Sequence, residues 1–157
     1  MPPAHLWLRD VAIVALTALA WWLDVHWRGV GTAIAAGGLT ALSGFLAHEY
    51  GHLAASLLTG ARVSYPRSPA STLLFHFDSA RNDRRQFMWM SFGGYAATAV
   101  AVGLIAWLAP LDAWSGRIAL GLAGVGMLVT FVLEVPITLR VARGAPLPLD
   151  AAYRPHD

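Results

Sequence analysis

Four apolar segments, each near the length needed to cross a membrane, limit what this chain can fold into. They run from about Asp10 to Trp27, from Thr32 or Leu39 to Thr59, from Phe87 to Ala109 and from Ile118 to Leu139, each bounded by charge, glycine or proline. A helix needs about 20 residues to cross the hydrocarbon core. Lipid offers no partner for bare peptide groups, so such segments must be helical. Composition agrees: 57% of the 157 residues are hydrophobic and only 13% are charged, against about 25% charged in a soluble domain. The expected fold is therefore all-α, a single polytopic helical bundle spanning residues 1–157. The second segment exceeds a simple crossing, and Gly37-Gly38 marks where it is expected to bend or begin late.

Arginine placement predicts the orientation. All eleven basic residues are arginine, and the net charge is only +2. With four crossings, the N-terminus, the 60–86 loop and the C-terminal tail share a side that holds Arg9, Arg62, Arg67, Arg81, Arg84, Arg85, Arg140, Arg143 and Arg154. The other side has Arg28 and Arg117. By the positive-inside rule both termini are expected in the cytoplasm, and the alanine- and arginine-rich composition suggests a prokaryotic inner membrane. Topology accounts for the arginines without a nucleic-acid partner. Trp21, Trp22, Trp27, Trp107 and Trp114 fall near the outer boundary and Trp7 and Trp89 near the inner one, as interfacial anchors do.

Inside the second segment stands His48-Glu49-Tyr50-Gly51-His52. Ionisable residues inside a bilayer are costly and generally face a protein interior or a water-filled cavity. Histidines at i and i+4 share one helix face and can grip one metal ion, leaving the intervening glutamate free to act as a base. Cysteine is absent, so any metal site must use His, Asp or Glu. His52 lies about 12 Å of helix before Gly60, which places the motif toward the inner face. Glu134 lies about 9 Å before Arg140 on a parallel segment, at a comparable depth. Glu49 and Glu134 are the only glutamates in the chain, and Glu134 is the leading candidate for a third metal ligand. The expected chemistry is zinc-assisted hydrolysis, with Glu49 as general base and Zn2+ on His48, His52 and Glu134. Pro136 withholds a donor from the carbonyl of Val132 and should loosen the fourth segment beside Glu134.

The HEYGH sequence, the following LAASLLTGARV and the later SFGGYAATA resemble the site-2 protease family of intramembrane zinc metalloproteases, over roughly residues 40–105. The resemblance implies metal ligation by His48 and His52, a catalytic Glu49, a small-residue helix contact at Gly93-Gly94, and a transmembrane protein as substrate. The family's third ligand is an aspartate in an Asn-x-x-Pro…Leu-Asp-Gly motif. Leu149-Asp150 resembles its end, but Ala151 replaces the glycine and the asparagine is missing, which leaves Asp150 as the alternative to Glu134. A catalytically inactive metal-binding or client-binding protein of the same fold is the competing function. A metal-transporting bundle has less support, since the chain holds a single motif of this kind.

The remaining polar residues carry plainer expectations. Asp24 should meet water at the outer end of the first segment, and His5, His26 and His156 should be surface groups. His76 reads as an ordinary loop or strand residue. Gly121, Gly124 and Gly126 thin the fourth segment and invite close helix packing. Between the second and third segments, Val63-Ser64-Tyr65 and Thr72 to Phe77 have strand-like content, an edge on which an unwound substrate could add as a strand.

Overall fold

A computed structural model describes residues 3–149, so Asp150 and His156 lie outside the described residues. The four apolar segments are helices: α1 (Ala4–Trp27), α2 (Val30–Leu58), α3 (Arg84–Leu108) and α4 (Trp114–Ala142). All four are long and apolar enough to cross a membrane, so the chain is an integral membrane protein of helical type. Strands β1 (Val63–Ser64) and β2 (His76–Phe77) pair antiparallel between α2 and α3, with Val63 opposite Phe77. Strand structure is thus confined to two residues on each side, shorter than the Thr72 to Phe77 stretch suggested. The bundle end that carries this segment is called here the loop end.

α2 is the central helix and packs against α1, α3 and α4. It begins at Val30 rather than late and stays helical through Gly37-Gly38. Gly37 is needed for packing instead: a Cβ there would overlap Ile118 and approach the carbonyl of Ser115 at the start of α4. Closest approach occurs between α2 and α3, where a Cβ on Gly51 would strike the Gly93 carbonyl and Ala97, and one on Gly93 would strike the Gly51 carbonyl and Ala55. In lipid, apolar side chains gain little by leaving acyl chains for one another, so small residues and hydrogen bonds hold helices together. Trp21 Nε1 donates to Thr40 Oγ1 at 2.8 Å, Thr17 and Ser43 share a 2.9 Å bond, and Tyr95 and Thr138 join α3 to α4 at 2.6 Å. Gly121, Gly124 and Gly126 do not serve this purpose, because a Cβ on any of them would meet open space.

α1 begins six residues before Asp10, because its first turns belong to the loop-end core. Leu6 packs there with Leu53, Leu74, Phe75, Phe77, Phe87, Met90 and Val141. Asp10 is buried rather than terminal, accepting from Tyr50 Oη at 2.8 Å and from Arg9 Nε at 2.7 Å. Asp24 also departs from expectation: it is buried and accepts from Thr32 Oγ1 at 2.9 Å, which ties α1 to the first turn of α2. His5 is half-buried, 3.4 Å from the Pro66 carbonyl, while His26 is exposed as expected. The tryptophans divide between the two bundle ends as two belts, with Trp7 and Trp89 at the loop end.

The segment between α2 and α3 is anchored at both ends. Asn82 donates to the Arg62 carbonyl at 2.8 Å and accepts from the Arg62 amide at 2.7 Å. Asp83 then caps α3 by accepting from the Gln86 amide at 2.8 Å. Arg9 reaches across from α1 to the carbonyls of Pro69 and Ser71. Leu74, Phe75 and Phe77 are thereby held against the ends of α2, α3 and α4 rather than projecting into solvent.

Candidate metal centre

One helical turn of α2 places His48 and His52 on the face turned toward α3 and α4, and α4 brings Glu134 to them. His48 Nε2 stands 3.2 Å from Glu134 Oε1, His52 Nε2 stands 3.4 Å from Glu134 Oε2, and the two Nε2 atoms are 2.9 Å apart. Tetrahedral zinc with bonds near 2.0–2.1 Å would set neighbouring ligand atoms about 3.3 Å apart. The three separations bracket that spacing, and the group could hold a metal ion.

The hydrogen bonds on the far side of each ring make the same point. His52 Nδ1 is 2.8 Å from the Met90 carbonyl, which can only accept, so Nδ1 carries a proton and, in the neutral ring, Nε2 holds the lone pair. His48 Nδ1 faces the Gly94 carbonyl at 3.2 Å and Thr98 Oγ1 at 2.8 Å, which assigns the same tautomer. With both rings neutral, two lone pairs and a carboxylate converge on one point within an apolar bundle. A cation there satisfies all three, and imidazoles whose second nitrogen donates to a carbonyl are the usual support of metal-binding histidines. The donor set, two imidazoles and a carboxylate, suits a divalent first-row metal ion.

α3 supplies the room and the orientation. A Cβ on Gly94 would overlap the His52 imidazole itself, so Gly94 makes space for the ring while Gly93 makes the helix contact. Gly93-Gly94 was legible as a small-residue pair, but the division of labour between them was not. Thr98, one turn further along, gave no signal in the sequence. Pro136 sits inside α4, two residues beyond Glu134, and the helix continues through it.

Glu49 is buried on the neighbouring face of α2 and accepts a 3.1 Å hydrogen bond from the Leu74 amide. A cleft of about 250 Å³ opens beside it, lined by Glu49, His52, Glu134, Phe75, Ser91 and Ile137 among others. A second cavity of about 210 Å³ lies on the other side of the group, lined by His48 and Glu134 and by apolar residues of α2, α3 and α4. Glu134 borders both, and with 34% of its side chain exposed, against 7% for His48 and 12% for His52, it is the most open of the three. The site thus joins His48, His52, Glu134 and Glu49, while Asp150 falls outside the described residues. The chain matches no protein-family model, no curated protein and no solved structure.

Proposed function

We propose that the protein is an intramembrane zinc metallopeptidase that cuts a peptide bond in or near a transmembrane segment of a client protein. The observation that carries this reading is the convergence of His48 Nε2, His52 Nε2 and the Glu134 carboxylate inside a membrane-spanning bundle, with Glu49 in the adjoining cleft. Resemblance of residues 40–105 to the site-2 protease family supports it.

Zinc bound here would supply Lewis acidity and lower the pKa of a water in its open position from 15.7 to about 7. The chain's own residues do the rest. His48 and His52 are locked in ligating orientation by Thr98, Gly94 and Met90. Glu49 is the general base, taking a proton from water and delivering it to the departing amine. One carboxylate oxygen is held by the Leu74 amide, which aims the group and leaves the other oxygen for the proton. Phe75, Phe77 and Phe87 wall the cleft, which would admit a substrate stretch that has left its helix. An edge of the segment around Thr72 to Phe77 would receive that stretch as an added strand.

The arginine distribution, nine against two, favours the loop end and both termini in the cytoplasm, and the alanine- and arginine-rich composition favours a prokaryotic inner membrane. The decisive experiment compares wild type and Glu49→Gln in detergent or vesicles, reading client cleavage and bound zinc together. Cleavage lost with zinc retained supports the peptidase. Zinc bound in both proteins with the client cut by neither would favour the inactive metal-binding alternative, and equal cleavage by both would remove Glu49 as the base.

A further inference from the structure

The cavity of about 210 Å³ beyond His48 and Glu134 is not needed to hold a metal or to place Glu49. It extends from the ligands toward the bundle end opposite the loop, between α2, α3 and α4, as far as Ile105 and Leu122. Its wall is built from small residues, Ala41, Gly44, Ala101 and Gly126, together with larger apolar ones such as Phe45 and Ile105. Its few polar side chains sit mainly at the metal end, and Thr98 among them is already engaged with His48.

We propose that this cavity is the specificity pocket for the substrate residue flanking the cut bond, and that it selects a large apolar side chain such as Phe, Leu or Met. The inference rests on the peptidase reading above and names the substrate feature that reading leaves open. Two facts carry it. The cavity borders His48 and Glu134 directly, on the side opposite the Glu49 cleft, so a chain lying in that cleft with its carbonyl at the ligands has its neighbouring side chain facing the cavity. Its size also suits a ring or branched chain, since an apolar cavity of about 150 Å³ takes up benzene. A charged or strongly polar side chain would be left unpaired there.

The small residues make the test direct. Both glycines line the cavity, and a Cβ on Gly126 meets open space while one on Gly44 meets only side chains at 3.9 Å and 4.0 Å, so Gly44→Leu and Gly126→Leu add bulk at its wall with no clash at the Cβ. The probes are two zinc-chelating hydroxamates that differ in one substituent, methyl or benzyl, with binding measured on the zinc-loaded protein and zinc content confirming that each variant is folded. The wild type should favour the benzyl compound by at least about tenfold. Either leucine should bring that preference close to unity. Equal binding of the two compounds by the wild type, or a preference that survives both leucines, overturns the pocket. Failure of the peptidase reading shows differently, as a benzyl preference abolished by the leucines in a protein that cleaves no client.

Discussion

The backbone amide of Leu74 donates to the carboxylate of Glu49 at 3.1 Å, so the segment outside the helices holds the proposed base inside them. Leu74 is fully buried and Arg9 fastens the preceding turn to α1, which makes this tether part of the core rather than a surface contact. A buried carboxylate that loses its donor is destabilised by about 1–3 kcal/mol.

Leu74→Pro removes that donor while leaving the ligands untouched. Cleavage should fall by about tenfold or more, and bound zinc should stay near wild type. Leu74→Ala, which keeps the amide, separates loss of the hydrogen bond from loss of packing, because a deficit shared equally by both variants would point to the core instead.

Glu134→Gln should lower zinc occupancy after dialysis against a weak chelator, and Asp150→Asn should not. The amide keeps the shape of the side chain but removes the charge that balances the cation. Metal analysis of the two purified variants decides between them, and the reverse pattern would transfer the third ligand to the tail.

Gly94→Ala places a methyl group where the His52 ring lies. Overfilling a packed site typically costs about 1–3 kcal/mol. The variant should show weaker zinc binding and a lower Tm, and Gly103→Ala, where a Cβ meets nothing, should show neither.

Thr98→Val deletes the shorter of the two bonds to His48 Nδ1 and keeps the shape of the side chain. Loss of such a supporting partner commonly lowers metal affinity by about 10–100-fold. Because the Gly94 carbonyl remains, the expected effect lies near the lower bound, measurable by competition with a zinc indicator.

Tyr50→Phe removes the hydroxyl that bonds buried Asp10. Hydrogen bonds between membrane helices are worth about 0.6 kcal/mol on average and up to about 1.7. Arg9 still pairs with Asp10, so thermal unfolding should show a small destabilisation with zinc content unchanged.

Much of this architecture was legible before any coordinates. Segment length and apolar content identified four helices, and the i, i+4 spacing placed His48 and His52 on one face. Less legible were the polar residues near helix ends. Asp10 read as the start of the first segment and Asp24 as a group meeting water, yet both are buried because Tyr50 and Thr32 lie across from them on α2. The glycines of α4 illustrate the same gap: small residues permit close approach, but which of them meets a neighbour depends on how the helix is rotated.

Helix formation and the reach of one turn are local properties, so the chain alone determined a membrane-spanning bundle with two imidazoles aligned on α2. Only tertiary structure brought Glu134 to His48 across 86 residues of chain, gave Gly94 the task of making room for a ring, and laid Leu74 against Glu49. Those contacts depend on helix rotation and depth, which arise from packing between elements and leave no periodicity within any one of them.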